Sequence, residues 1–161
     1  MKSKLNIEEF QSRINQTSKI DSAKLKLSPF GLFTSFGGVS KIFYGNFDES
    51  TFHLTMNSIL SPTFYIIKGK YEYQDNRLNV DYVIEPSNKF QIAWTKIFPV
   101  VFLIGINILL LLSNSNLKNT PSEAYIVFNV AAVFLIFFSR WDMKRKKLKL
   151  EQKFIETFEL K

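Results

Sequence analysis

The chain has 161 residues, of which 46% are hydrophobic and 16% aromatic, and its formal net charge is +7. It has no cysteine, which excludes disulfides, thiolate nucleophiles and cysteine-ligated metal sites. Residues 1–91 carry 11 Lys/Arg and 9 Asp/Glu, a net of +2, whereas residues 92–161 carry 10 and 5, a net of +5. The excess positive charge is therefore local to the second part of the chain.

The first predicted element is a short amphipathic helix over residues 6–16. Asn6 is a suitable N-cap and Glu9 completes the capping-box spacing. Ile7, Phe10 and Ile14 fall on one helical face. The next stretch, residues 28–41, is rich in Phe and Gly and lacks the Gly-Lys-Ser/Thr ending of a phosphate-binding loop. It predicts a loop whose phenylalanines either fill the core or touch the bilayer or a partner.

Residues 41–85 predict an antiparallel meander of about four strands. Apolar and polar side chains alternate over 41–47, 51–57, 63–74 and 77–85, with turns at 48–49 and 75–76. Such a sheet has one apolar face that must be covered. The candidates are the N-terminal helix, the Phe-rich loop, the end of the apolar helices and the C-terminal tail, of which we favour the tail. Because a small sheet is marginal alone, we expect it to dock on helices or dimerise.

Two apolar runs follow the predicted sheet, at 97–112 and 124–138, separated by a short polar segment. Extended back to Ile92, the first run is long enough to cross a bilayer core as a helix. Trp94 and Trp141 suit the membrane–water interface, and Lys96 can extend its ammonium group to the headgroups. Residues 92–141 therefore predict a transmembrane helical hairpin.

The ten residues 140–149 contain six basic side chains and one acidic one. Because Lys and Arg accumulate on the cytoplasmic side of membrane spans, both ends of the chain are predicted to be cytoplasmic. The basic run predicts contact with anionic headgroups. Nucleic-acid binding is disfavoured because the run lacks interleaved aromatic residues. The basic side chains are Arg140, Lys144, Arg145, Lys146, Lys147 and Lys149.

The tail beyond the second apolar run, residues 142–161, predicts a basic amphipathic helix that continues the span. Leu150, Phe154 and Phe158 recur every four residues along it. This apolar stripe can lie on the membrane surface, pack under the sheet or pair with another subunit.

Two amides lie within the apolar runs, Asn107 and Asn129, at similar distances from the polar segment between them. In an antiparallel hairpin they are expected at similar depth, where a mutual hydrogen bond would contribute roughly 1 kcal/mol. The alternative is that several hairpins assemble around these amides into a polar path for an ion or small solute. Polar or small residues Tyr125, Ala132 and Ser139 share the helical face of Asn129.

The sequence contains no recognisable catalytic or metal-binding motif. Its one histidine, His53, falls on the polar side of a predicted strand. We therefore predict no enzymatic activity, no cofactor and no metal site. An enzyme that uses the polar face of the sheet is the least favoured alternative.

The order of motifs resembles that of small bacterial two-span membrane proteins with a β-rich cytoplasmic head. The motifs are FYGNF at 43–47 and SPTFYIIKGKY at 61–71, followed by the two apolar runs. The resemblance covers roughly residues 41–140 and supports the predicted architecture. We predict a location in the bacterial inner membrane. It carries no established activity and transfers no site residues.

Taken together, these features predict an α+β membrane protein with a cytoplasmic head (1–91), a hairpin (92–141) and a cytoplasmic tail (142–161). The predicted function is non-enzymatic: the head binds a protein partner or lipid headgroups, and the chain forms a homo-oligomer or acts with a partner protein. The alternative function is a subunit of an oligomeric transporter or channel with its path near Asn107 and Asn129.

Overall fold

The computed structural model of the chain describes residues 1–20, 41–56, 64–74, 77–114 and 122–161. It divides into two compact units. The sheet unit comprises Met1–Asn88 and Lys146–Lys161, and the hairpin unit comprises Lys89–Arg145. Nearly all of the predicted Phe- and Gly-rich loop at 28–41 lies outside the described residues.

The described elements are six strands and three helices. In chain order they are β1 (Lys2–Ser3), α1 (Ile7–Thr17), β2 (Ser18–Ile20), β3 (Phe43–Phe47), β4 (Thr51–Met56), β5 (Tyr65–Gln74), β6 (Arg77–Pro86), α2 (Lys89–Asn114) and α3 (Ser122–Phe158). The fold is therefore α+β, with two long apolar helices.

The sheet has six strands in the order β1-β6-β5-β4-β3-β2, so the prediction of about four strands was wrong. The four predicted strands are present as β3 to β6 and pair as antiparallel neighbours. The two additional strands form the edges: β1 pairs antiparallel with β6, and β2 pairs parallel with β3. These strands have only two and three residues, too few for a visible alternation of apolar and polar side chains.

Both ends of the described chain join this sheet. The amino group of Met1 donates to the carbonyl oxygen of Val80 at 3.0 Å, and the amide of Val80 donates to the carbonyl oxygen of Met1 at 2.8 Å. On the other side, Lys2 and Lys161 exchange two main-chain hydrogen bonds of 2.9 Å. The last residues of the chain therefore flank its first strand.

Helix α1 begins with the predicted capping box. The side-chain oxygen of Asn6 accepts from the amide of Glu9 at 2.8 Å, and the carboxylate of Glu9 accepts from the amide of Asn6 at 3.1 Å. The box satisfies amides that the first turn leaves without helical partners. It fixes the start of the helix so that Phe10 and Ile14 are fully buried.

The apolar face of the sheet is covered by α1 and by the last turns of α3. Leu150, Phe154 and Phe158 of α3 are buried with Phe10 and Ile14 in one core cluster. Their apolar partners on the strands are Phe43, Phe52, Leu54, Ile67, Tyr71, Leu78 and Val80. The favoured placement of the C-terminal stripe, against the sheet, is the observed one.

Aromatic rings dominate this core. The ring of Phe158 lies 4.8 Å from that of Phe10 and 6.0 Å from that of Phe43. Phe154 lies 5.3 Å from Phe52 and 5.1 Å from Tyr82. Tilted and edge-on ring pairs at such separations add to the stabilisation from buried area. Two phenylalanines of α3 thus connect both halves of the sheet to α1.

Candidate membrane interface

The two long helices present apolar side chains outward. Both are long and apolar enough to cross a membrane, judged by length and composition. Their 26 and 37 residues correspond to about 39 and 55 Å of helix. Only 6% and 11% of their most apolar windows are buried inside the protein. A core helix of a water-soluble protein would instead bury most of such a window.

Polar contacts at three levels along the helix pair join the described parts of α2 and α3. The hydroxyl of Ser139 donates to the carbonyl oxygen of Thr95 at 2.9 Å, and the hydroxyl of Tyr125 donates to the carbonyl oxygen of Leu110 at 3.0 Å. Between them, Asn107 and Asn129 exchange hydrogen bonds of 2.8 and 3.2 Å. As the residue number rises along α2, that of its partner on α3 falls, so the helices are antiparallel.

The two amides have no spare hydrogens. The side-chain nitrogen of Asn107 also donates to the carbonyl oxygen of Leu103 at 2.8 Å. The side-chain nitrogen of Asn129 donates to the carbonyl oxygen of Tyr125, also at 2.8 Å. A primary amide has two N–H donors. All four are used, two within the helices and two between them. Next to this pair, Ala132 is 1% exposed and lets the helices approach closely.

The predicted interfacial residues of α2 lie on its surface. Trp94 is 51% exposed; it stacks with Phe90 at a ring separation of 6.3 Å and is tilted against Phe98 at 5.6 Å. Lys96 is also exposed. Tryptophan combines an apolar ring with a polar N–H, which suits the headgroup region.

The antiparallel register brings the predicted interfacial residues of both helices to one end of the hairpin unit. Trp94 precedes Thr95 by one residue and Trp141 follows Ser139 by two, and Thr95 and Ser139 are in contact. Lys96 and Arg140 flank the same contact. Two tryptophans and two basic residues therefore lie at a common level along the helix pair.

The basic run lies on the surface of α3, where the helix leaves the hairpin unit. Trp141 is 54% exposed, and the guanidinium of Arg145 lies 5.2 Å from the centre of its ring. Arg140, Lys144, Lys147 and Lys149 are exposed as well. Lys146 differs, because it is half-buried and its ammonium nitrogen lies 4.8 Å from the ring of Phe64 in the sheet unit.

Sequence reasoning missed two of the three polar contacts between the helices. The shared face of Tyr125, Asn129 and Ser139 was a usable signal on α3, because all three side chains reach across to α2. On α2 the partners of Tyr125 and Ser139 are main-chain carbonyls, of Leu110 and Thr95. A main-chain acceptor leaves no mark in the sequence.

Catalytic candidates are few in the described part of the chain. There, no group of three or more His, Cys, Asp or Glu residues is arranged to hold a metal ion. His53 is exposed on β4, in register with Asn46 and Lys68 of the neighbouring strands. The surroundings of this histidine indicate a solvated strand face.

Comparisons of the chain with family models, curated proteins and solved structures return no match.

Proposed function

We propose that the chain is a non-enzymatic integral protein of the bacterial inner membrane. In this proposal α2 and the first part of α3 span the bilayer, and the sheet unit is cytoplasmic. The observation that carries it is the exposure of the apolar side chains on both long helices. Exposing so much contiguous apolar surface to water is costly, whereas in a bilayer it contacts lipid tails.

The proposed orientation rests on charge. Six basic residues lie at 140–149, directly after the second apolar run, whereas Lys118 is the one basic residue between the two runs. The membrane potential and the insertion machinery retain such basic flanks on the cytoplasmic side. Both segments of the sheet unit, which precede α2 and follow Arg145, are then cytoplasmic.

Extraction of native membranes with alkaline carbonate tests the anchor. We expect the chain to remain in the membrane pellet, because the hairpin is embedded rather than adsorbed. Recovery of the chain in the supernatant would contradict a transmembrane hairpin.

Cysteine labelling tests the orientation, since the native chain has no cysteine to interfere. We expect an impermeant maleimide to label Ser115→Cys in intact spheroplasts, because Ser115 lies between the two spans. Ser50→Cys, at an exposed turn of the sheet unit, is the matched control. It should react only after lysis, and the reverse pattern would invert the topology.

We further propose that the sheet unit binds a protein partner or lipid headgroups. Its apolar face is occupied by helices, but the opposite face carries the exposed side chains of His53, Lys68, Lys70 and Asp81. Crosslinking in native membranes followed by mass spectrometry tests this. We expect crosslinks from Lys68 or Lys70 to another protein or to a second copy.

We give Asn107 and Asn129 a structural role in this proposal. A path for ions needs polar groups that can exchange a protein partner for a passing solute. The N–H groups of both amides already have partners within the helix pair. This geometry favours an anchor over the alternative of a transporter or channel subunit.

A further inference from the structure

We propose that Trp141, Lys144 and Arg145 bind the phosphate of an anionic phospholipid at the cytoplasmic surface of the bilayer. This inference rests on the proposed function, because it requires α3 to cross the membrane. It goes further in selecting one face of α3, and one lipid class, from a basic run that surrounds the helix.

The first support is the continuity of an exposed aromatic stripe with the basic pair. Phe134, Phe138, Trp141 and Arg145 follow each other at spacings of four, three and four residues, so they share one helical face. The ring of Phe138 lies 5.8 Å from the ring of Phe134 and 5.8 Å from that of Trp141. The guanidinium of Arg145 continues this series at 5.2 Å from Trp141.

The second support is the chemistry of Arg145. Its contact with the indole ring directs the guanidinium back toward the apolar stripe, as expected for a helical side chain that leans toward the N-terminus. The planar guanidinium can donate two parallel hydrogen bonds to a phosphate group. A lipid whose acyl chains lie along Phe134 and Phe138 would present its phosphate at this level.

The third support is the charge around the pair. Lys144 is exposed and follows Trp141 by three residues, so it lies beside Trp141 on the helix surface and adds a second positive charge there. Residues 140–149 carry six basic side chains against one acid, Asp142. The local charge is therefore positive, and a lipid with a net negative headgroup is favoured over a zwitterionic one.

Native mass spectrometry of the full chain in detergent micelles tests the site. Dioleoylphosphatidylglycerol and dioleoylphosphatidylcholine are titrated separately onto delipidated protein. We expect the wild type to retain phosphatidylglycerol in preference to phosphatidylcholine. Arg145→Gln should weaken the retention of phosphatidylglycerol about fivefold, the loss expected for one basic side chain near an anionic surface.

Two further variants separate a site from diffuse charge. Lys147→Gln removes the same charge two residues away, about 200° around the helix from Arg145. It should leave most of the preference intact. Arg145→Lys keeps the charge but loses the planar fork, so it should give an intermediate result. Equal losses in Arg145→Gln and Lys147→Gln would overturn the proposed site.

The remaining outcomes are equally decisive. Displacement of the bound lipid by inorganic phosphate at tenfold excess would overturn the assignment to lipid, because the acyl chains would then contribute nothing. If the wild type shows no preference between the two lipids, the lipid site is overturned. The proposed anchor still stands in that case, provided that the chain resists carbonate extraction. Release of the wild type into the supernatant by alkaline carbonate would instead refute the anchor itself.

Discussion

Gly69 shows how closely the sheet approaches its aromatic core. It is in register with Phe52 on β4 and with Tyr82 on β6. A β-carbon at this position would overlap the tip of the Phe52 ring and lie 2.5 Å from the carbonyl oxygen of Asp81. The ring of Phe52 therefore lies over bare backbone, a use of glycine expected where another group approaches a strand closely.

Replacing Gly69 with alanine should destabilise the sheet unit by about 1–3 kcal/mol, the usual cost of overpacking a core. Hydrogen-exchange mass spectrometry of peptides from β5 measures the change in local stability. The matched control is Gly105→Ala in α2, where an added β-carbon has no atom within 4 Å. Alanine also favours a helix, so this control should keep wild-type exchange in β5.

Asp48 at the β3–β4 turn has an unusually acidic carboxyl group. Its carboxylate accepts hydrogen bonds from the side chain of Thr51 and from the amides of Ser50 and Thr51, at 2.6, 2.9 and 2.7 Å. These bonds, led by the one from the Thr51 hydroxyl, lower the pKa of Asp48 from its ordinary 3.8 to about 2. They require the ionised form.

This lowered pKa predicts acid sensitivity of the turn. A group with a depressed folded-state pKa contributes stability above its ordinary pKa, and that stability is lost as the pH falls from 3.8 toward about 2. We expect the protection factors of the turn amides, corrected for intrinsic exchange rates, to fall as the pH is lowered through this window. Asp48→Asn should lose the dependence, and an unchanged profile in that variant would contradict the assignment.

At the scale of elements, the predictable features were those with several residues of repeated pattern. Strands β3 to β6, the capping box of α1 and the two apolar helices all follow from alternation, spacing or length. Strands β1 and β2 are set by pairing with distant residues, namely β6 and β3. Non-local pairing of two or three residues leaves too little local signal to detect.

The same contrast holds for the interface. The hydrogen bonds between Asn107 and Asn129 were predictable because their side chains carry the chemistry, whereas the interfacial role of the aromatic and basic residues stays a prediction. The contact of Arg145 with Trp141 follows from their spacing of four residues on one helix. The position of Lys146 over Phe64 is a contact between distant parts of the chain, which the local pattern does not encode.

The asparagine pair should show a marked non-additivity on substitution. Asn107→Leu leaves the amide of Asn129 without its interhelical partner in an apolar setting, which should destabilise the helix pair by about 1 kcal/mol. The double variant Asn107→Leu/Asn129→Leu should recover much of that loss, because no unpaired amide remains. Unfolding in mixed micelles, followed by tryptophan fluorescence, reports on the hairpin unit because both tryptophans lie there.

Additive losses in the double variant would mean that the amides do not stabilise each other. Asn46→Leu in β3 is a control for the assay, because Asn46 is exposed in the sheet unit. It should leave the tryptophan-detected transition unchanged.

At the scale of the whole molecule, the sheet unit is assembled from two separate stretches of chain, before and after the hairpin unit. Leu150, Phe154 and Phe158 come from the second stretch and are almost fully buried. Losing even one large buried aromatic side chain typically costs 3–5 kcal/mol, roughly the whole stability of a small domain. The first stretch therefore lacks an essential part of its core without the second.

This organisation predicts that residues 1–88 alone do not fold, whereas residues 1–88 joined to residues 146–161 by a flexible linker do. The difference is measured by the dispersion of amide resonances in a two-dimensional NMR spectrum. A third protein carrying Phe154→Ala in the linked form should resemble residues 1–88 alone. A well-dispersed spectrum of residues 1–88 without the C-terminal segment would contradict the discontinuous core.

The discontinuous core also constrains the order of events during synthesis. The ribosome makes all six strands before either apolar helix, yet the phenylalanines that close the sheet come after both. Until Phe154 and Phe158 emerge, the strands lack the side chains that cover this part of their apolar face. In the proposed membrane protein, a premature stop codon near position 150 would leave both spans complete but the sheet open, with Phe43 and Phe52 deprived of their partners on α3.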